Sequence, residues 1–344
     1  MTESIVELRN VTKYFERGVL KKKRNYAVVN VSLKIREGEI ITLVGESGCG
    51  KTTLGRIIAG LLKPSQGRVL WFGKDLWSMS KREFKKYRPL IQFVHQDPYA
   101  SLNPSRTVFQ TLAPVVKKYR KPRSSSQLRE EVINILKYVG LTPPEYFLNK
   151  YPHHLSGGMR QRLALARALI PNPKLIVADE PVSMIDMSLR LSVLALMKKL
   201  NRELGIAFVY ISHDLATARY FEDKASLYLM YLGRIVEWGP MTKVLENPLH
   251  PYLRALLSAT PLPDPKITRR KRRLELRSIE VPREVLILRG CPFSNRCPYA
   301  EDICFKEVPA PKESDGHFVA CHLLEKLPPW IPPWQVTSDE PSDS

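Results

Sequence analysis

Residues Gly45-Glu46-Ser47-Gly48-Cys49-Gly50-Lys51-Thr52, followed by Thr53, hold the chemistry around which the chain is organised. They fit the phosphate-loop pattern G-x-x-x-x-G-K-[ST] at every fixed position. The glycines let backbone N–H groups turn inward around a phosphate, and a following helix adds its partial positive charge. Lys51 is the type of residue that reaches β- and γ-phosphates, and the Thr52 hydroxyl is a Mg²⁺ ligand in such loops. About 130 residues later, Leu175-Ile176-Val177-Ala178-Asp179-Glu180 is an apolar run ending in two carboxylates. At the carboxyl edge of a parallel sheet these acids stand beside a phosphate loop. Asp179 then suits Mg²⁺, and Glu180 suits a general base that deprotonates an attacking water. Leu155-Ser156-Gly157-Gly158-Met159 precedes an amphipathic helix and makes a second anion site of N–H groups and a hydroxyl. Two chains facing head to tail would place one nucleotide between the two kinds of site.

These groups need strands and helices to carry them. Glu39 to Val44 reads as a buried strand before the loop, and Leu54 to Leu62 as the helix after it. Ile5 to Leu8, Ala27 to Ile35, Arg68 to Phe72 and Leu90 to Val94 read as further strands. From Val108 to about Ala168 the apolar period is helical. Val132, Leu136 and Val139 share one face, and Ser126 with Glu130 is the expected cap of that helix. Strands return at Leu175 to Ala178, Ala207 to Ile211 and Ala225 to Tyr231, with a helix from Ser188 to Leu204. Alternating strands and helices predict an α/β fold with a largely parallel sheet. The segment between Gln96 and Leu175 reads as an inserted helical subdomain.

The chain has 344 residues, 44% hydrophobic, with a formal net charge of +20. That charge points to nucleic acid, an anionic membrane surface or phosphate substrates. Its dense runs are Lys21-Lys22-Lys23-Arg24 and Arg269-Arg270-Lys271-Arg272-Arg273. No run of about 18 apolar residues exists to span a bilayer. The first residues have no basic-then-apolar signal pattern, so a cytoplasmic location with reduced thiols is expected.

The motifs together resemble the ATP-binding subunits of ABC transporters. The resemblance implies an ABC-type ATPase core over 1–250, with a helical subdomain over about 97–173. It implies that Phe15 stacks on adenine, that Gly45 to Thr52 is the Walker A loop, and that Gln96 is the Q-loop glutamine and a Mg²⁺ ligand. Ser156, Gly157 and Gly158 match the signature, Asp179 and Glu180 the Walker B pair, Asp186 the D-loop aspartate, and His213 the switch histidine that reads the γ-phosphate. The catalytic set is then Glu180, His213, Lys51 and Gln96, with ATP and Mg²⁺ as cofactors. Two positions depart from the pattern: Met159 replaces the usual signature glutamine, and Met184-Ile185 precede Asp186 where Ala-Leu is commoner. Neither removes a catalytic group.

His95-Gln96-Asp97-Pro98-Tyr99-Ala100-Ser101-Leu102-Asn103-Pro104 and Asn247-Pro248-Leu249-His250-Pro251-Tyr252 resemble the dipeptide/oligopeptide/nickel importers. The Gln96 region is similar to their F-type ATPase and the signature to the D-type, with F favoured. The implied partners are a second, different ATP-binding subunit, two transmembrane permease subunits and an extracytoplasmic solute-binding protein. The implied location is the cytoplasmic face of the membrane, where each close Lys or Arg is worth roughly 1 kcal/mol on anionic lipid. Peptides are the expected cargo, with oligosaccharides or nickel as alternatives. A soluble ATPase acting on nucleic acid or ribosomes is the rival reading. Against it, the chain has neither two cassettes nor an aromatic-studded basic platform.

Cys291, Cys297, Cys304 and Cys321 place four thiols within 31 residues. Zinc sites usually begin with ligands two to four residues apart, which this spacing lacks. Four thiolates suit a [4Fe–4S] cluster. Zinc is the alternative, with His317 and His322 as substitute ligands. Members of the importer family with this C-terminal region are similar, and some carry such a cluster. The expected extension covers 251–330, and 331–344 reads as a mobile tail.

Overall fold

The computed structural model describes residues 4–17, 23–260, 274–280 and 289–332. The Pro261 to Pro265 linker, the Arg269 to Arg273 run, Lys21 and Lys22, and the tail beyond residue 332 lie outside the described residues. The described residues form two compact units.

The first unit holds residues 4–14, 28–43 and 51–213. Its antiparallel sheet has the order β2–β1–β4–β5, from β1 (Ser4–Arg17), β2 (Lys23–Arg36), β4 (Gln66–Trp71) and β5 (Lys74–Asp75). Sequence reading ends the first strand at Leu8. The strand instead continues because its register against β4 shifts between Arg9 and Thr12, where Asn10 takes φ 49°. Asn tolerates that left-handed conformation, so the irregularity bends the strand without ending it.

The parallel strands are β3 (Ile40–Val44), β6 (Ile91–Val94), β7 (Leu175–Asp179) and β8 (Ala207–Ser212), in the order β3–β8–β7–β6. Every residue of β3, β7 and β8 is buried. Strands covered on both faces are continuous apolar runs, which is how they read in the sequence. The helix after the phosphate loop, α1 (Lys51–Ile58), stops short of the expected Leu62. Gly60 turns it off at φ 65°, where a Cβ would sit 2.6 Å from the Trp71 ring. Gly55 lets α1 lie close on the sheet: its Cβ would stand 2.5 Å from Ile211 Cδ1.

A helix α2 (Lys81–Tyr87) precedes β6, and the helical segment between β6 and β7 comprises α3 (Pro98–Ser101), α4 (Val108–Arg120), α5 (Ser125–Tyr138), α6 (Pro144–Leu148) and α7 (Gly157–Leu169). Leu128, Val132, Ile135 and Leu136 are the buried face of α5. Its cap is Ser124, whose hydroxyl accepts the Gln127 N–H at 3.1 Å. The expected Ser126 lies inside the helix, because the polar loop ends two residues earlier. After β7, α8 (Met187–Leu204) runs until Gly205, which takes φ 63° and closes it with an N–H to Asn201 O at 2.9 Å.

The second unit holds the described parts of 15–27, 44–50 and the residues from 214 on. It contains α9 (Leu215–Ala218), β9 (Ala225–Tyr231), β10 (Arg234–Pro240), α10 (Met241–Glu246), α11 (Pro251–Ala259), α12 (Asp302–Lys306), β11 (Lys312–Ser314) and β12 (His317–Val319). The strands run antiparallel in the order β9–β10–β12–β11. Its core includes Tyr231, Tyr252 and Phe293, with ring centroids 4.6 to 5.4 Å apart. Beside them, Glu237 and His317 are fully buried and 3.0 Å apart.

Candidate functional site

In the first unit, three parallel strands deliver their next residues to one edge. Gln96 follows β6, Asp179 ends β7 with Glu180 next, and His213 follows β8. Thr52, in the first turn of α1, donates its hydroxyl to Asp179 Oδ1 at 3.0 Å. Lys51 and Asp179 are buried, and burial pushes the Asp179 carboxyl above the usual range. The Thr52 hydrogen bond opposes that shift, while the neighbouring charge of Glu180 adds to it.

Glu180 is held at both carboxylate oxygens. Gln96 Nε2 donates to Oε2 at 2.9 Å, and His213 Nδ1 lies 3.0 Å from Oε1. The backbone of Glu180 has φ 44°, with its N–H donated to Ile211 O at 3.0 Å. A left-handed glutamate is uncommon, and such outliers persist where surrounding structure over-determines them. Here the bond to Ile211 and the two side-chain partners do so. The carboxylate is 14% exposed and His213 is 48% exposed, so solvent reaches the pair. The arrangement can position and deprotonate a water at the end of the sheet.

Ser156 caps α7, its hydroxyl accepting the Met159 N–H at 3.3 Å, and Gly157 and Gly158 form the first turn. Gly157 lies close to Met184: its Cβ would be 3.2 Å from the Met184 carbonyl oxygen. Asp186 is exposed at the N-cap position of α8. Among the described residues no hydrogen bond links Ser156, Gly157, Gly158 or Asp186 to the Thr52–Asp179 pair or to the Glu180 carboxylate. Sequence reading therefore names two groups that this chain does not join by such bonds.

In the second unit, Gly45 and Gly50 are pressed against neighbouring backbone. A Cβ on Gly45 would meet Met230 O at 2.1 Å, and one on Gly50 would meet Ala27 O at 1.9 Å. Between them Ser47 and Gly48 are exposed. Cys49 is buried, donates its N–H to Glu46 O at 3.3 Å and accepts from Gly233 N at 2.8 Å. Phe15 is 45% exposed on β1, and Thr53 is half-buried on α1. Glu46, expected among the phosphate contacts, has another set of partners. Its amide N–H donates to the Tyr252 hydroxyl at 2.8 Å, and its carboxylate accepts from Arg296. Sequence reading missed Arg296, because nothing local marks a partner 250 residues away.

The four cysteines of the extension are buried free thiols. Burial pushes Cys291 up to about 12 and Cys297 up to about 11, and raises Cys321. Each of these three sulfurs accepts a backbone N–H from the residue two further on: Phe293, Tyr299 and Leu323. Among the described residues, no three His, Cys, Asp or Glu side chains are gathered as a metal ion requires. The two substitute ligands have other partners. His317 Nε2 lies 3.0 Å from Glu237 Oε1, and His322 Nε2 lies 2.9 Å from Glu307 O.

A phosphate loop, a Thr–Asp pair at its helix and a carboxylate held at the ends of parallel strands define a phosphate-loop ATPase. Residues 28–183 match the ABC transporter family, and residues 236–304 match the oligopeptide/dipeptide transporter C-terminal region. The chain is 43% identical over 301 residues to the oligopeptide transport ATP-binding protein OppF of Salmonella typhimurium, covering 88% of this chain and 89% of that one. It is 42% identical to the oligopeptide transport ATP-binding protein AppF of Bacillus subtilis, covering 93% and 98% respectively. It is 41% identical to the di/tripeptide transport ATP-binding protein DppF of Pseudomonas aeruginosa, covering 94% and 99%. Among solved structures, a dimeric ATP-binding cassette in a post-hydrolysis state with ADP and Pi is 35% identical, with a TM-score of 0.60, over 69% of this chain and 98% of that one. The chain belongs to the ABC transporter ATP-binding proteins, in the branch with the oligopeptide/dipeptide transporter C-terminal region.

Proposed function

We propose that the chain is the ATP-hydrolysing subunit of a peptide importer, of the F type. The observation that carries this reading is the Glu180 carboxylate held between Gln96 and His213 beside the Thr52–Asp179 pair. Lys51 and loop N–H groups between Gly45 and Thr53 other than those of Glu46 and Cys49, which have partners within the protein, bind the phosphates, and Phe15 stacks on adenine. Thr52, Asp179 and Gln96 hold Mg²⁺, which supplies charge stabilisation at the transferring phosphoryl group. Gln96 would be among the residues holding that ion, and its present bond to Glu180 Oε2 keeps the carboxylate oriented at the strand ends. His213 remains beside Glu180 and reads the γ-phosphate. Ser156, Gly157, Gly158 and Asp186 serve a nucleotide held on the partner subunit. The names of the relatives support peptide as cargo and the F type.

Its partners in this reading are a second ATP-binding subunit, a different chain, together with two permease subunits and a solute-binding protein. Among the described residues no helix is long and apolar enough to cross a membrane, and the proposed place is peripheral, on the cytoplasmic face. Cys291, Cys297, Cys304 and Cys321 would be the ligands of a [4Fe–4S] cluster, which would cross-link the extension once the four sulfurs draw together. Four buried, unoxidised thiols in one short segment support this reading.

The test is purification of the tagged chain from its native membrane without oxygen. Two membrane subunits, a second ATPase, a solute-binding protein and a broad absorption near 400 nm are expected. Zinc without that absorption would replace the cluster assignment. Ribosomes or nucleic acid without membrane subunits would overturn the importer reading.

A further inference from the structure

The second residue of the phosphate loop is held by the cysteine-bearing segment. Arg296 Nη1 bridges the two carboxylate oxygens of Glu46, at 3.0 Å and 2.8 Å, and also donates to the Tyr231 hydroxyl at 3.2 Å. Its guanidinium carbon lies 5.7 Å from the ring centroids of both Tyr231 and Phe293. Arg296 is 6% exposed. A charge so far from water requires its counter-charge, and moving Glu46 away would leave it uncompensated. The arginine is itself fixed in a turn ahead of Cys297: Phe293 O accepts the N–H groups of Arg296 and Cys297 at 3.0 Å and 2.9 Å. The Tyr252 hydroxyl holds the Glu46 amide from α11, and Gly233 holds the Cys49 carbonyl. The loop is thus tied down at Glu46 and Cys49, while Ser47 and Gly48 between them are exposed. Phosphate recognition by backbone N–H groups needs those groups held to about 0.5 Å.

We propose that Arg296 is a positioning residue of the nucleotide loop, acting through Glu46, so that the four-cysteine segment sets the affinity for the phosphates of ATP. This inference rests on the ATP-binding reading of the loop. It assigns Glu46 the role of adaptor between that segment and the loop.

The test measures Mg-ATP binding to the full chain carrying Glu180→Gln, which prevents consumption of the nucleotide. Steady-state kinetics of the chain with Glu180 intact accompany it. Arg296→Met retains the packing against the rings and is expected to weaken binding by about 5- to 50-fold, a common size for coupling between sites. KM should rise in proportion while kcat at saturating ATP stays within about twofold of the parent, and Arg296→Lys should recover part of the affinity. Each single change removes one charge of the pair and keeps the other, so the double variant Glu46→Gln/Arg296→Met is decisive if a single variant does not fold. It contains no uncompensated charge and is expected still to bind weakly, with a loss much smaller than the product of the two single losses. Folded variants that bind Mg-ATP within twofold of the parent would overturn the inference, whatever their melting temperatures. A parent chain that binds no ATP would instead remove the ATPase reading, and this inference with it.

Discussion

Two glutamate–histidine pairs stand at the same 3.0 Å separation in the two units of the molecule. Glu180 and His213 lie at a strand edge open to solvent, and Gln96 holds the second oxygen of the glutamate. Glu237 and His317 have no exposed side-chain surface, and Glu237 also accepts the N–H groups of Leu249 at 2.8 Å and His250 at 3.0 Å. Burial pushes the Glu237 carboxyl up, and the His317 contact and the two N–H groups oppose it. The first pair has a surface that water can reach. In the second, every partner is a fixed part of the core, joining β10, β12 and the start of α11. In the proposed function, the same two side chains make a reacting group in one setting and a buried clamp in the other.

The largest effect expected from breaking this comparison is on turnover. Glu180→Gln keeps the size and one acceptor oxygen but removes the base, and should reduce ATP hydrolysis by about 10²- to 10⁴-fold. Nucleotide binding should survive, and a single-turnover assay alongside a binding titration separates the two. Loss of binding together with turnover would make Glu180 a structural residue like Glu237. The corresponding change in the other unit, Glu237→Ala, strands His317 and two backbone donors in the core. It should cost about 3–5 kcal/mol of stability, read from denaturant unfolding. A near-normal midpoint would mean that the core holds water there or rearranges.

A third prediction concerns acid, and uses a residue bound to the buried clamp. His250 is the N-cap of α11, its ring Nδ1 accepting the Tyr252 N–H at 3.0 Å. Burial lowers its pKa from 6.5 to about 3, and the charge of Arg254 adds to the effect. The unfolded chain therefore takes up a proton below pH 6.5 that the folded chain refuses until about 3. Stability due to this group is fully present above 6.5 and is lost as pH falls, by about 1.4 kcal/mol per pH unit within that window. His250→Asn keeps an acceptor for the Tyr252 N–H and removes the titrating ring. Unfolding midpoints of the variant should decline less steeply between pH 6.5 and 4 than those of the parent. Equal slopes would place the acid sensitivity elsewhere.

How far the sequence reveals the molecule differs between the units for physical reasons. The core strands of the first unit are buried on both faces, so Ile40 to Val44, Leu175 to Asp179 and Ala207 to Ser212 read as apolar runs with sharp ends. Their ends carry Asp179 and Glu180, which the spacing from Lys51 marks as candidates, and His213, which only the family resemblance marks. In the second unit the strands are short or carry polar residues inward. β10 hides Glu237 among apolar neighbours, and β11 and β12 have three residues each. A buried glutamate breaks any hydrophobic pattern, and only its distant partner His317 explains it. Local chemistry also misled once within the first unit: Ser126 with Glu130 looks like a cap, yet Ser124 holds that place, two residues earlier. The cysteine spacing was visible, but the N–H groups aimed at three of the sulfurs belong to turns that no periodicity marks. The Arg296–Glu46 pair joins residues 250 apart and has no local signature at all.

The smallest effect sharpens the comparison most. His213 is 48% exposed and its contact with Glu180 is open to solvent, so His213→Ala should change stability by no more than roughly 1 kcal/mol. Exposed pairs gain little because water screens the attraction and both side chains lose freedom in forming them. His317→Ala removes a ring with no exposed surface and leaves Glu237 with two backbone donors but no side-chain partner. Its cost should be several-fold larger, through both the cavity and the lost partner. ATPase assays on the same two proteins should give the reverse order: His213→Ala loses turnover while remaining folded, and His317→Ala retains turnover at temperatures where it is folded. If both variants instead lost stability and activity in step, the two pairs would be performing one common structural task, and the assignment of Glu180 as the reacting carboxylate would have to rest on kinetics alone.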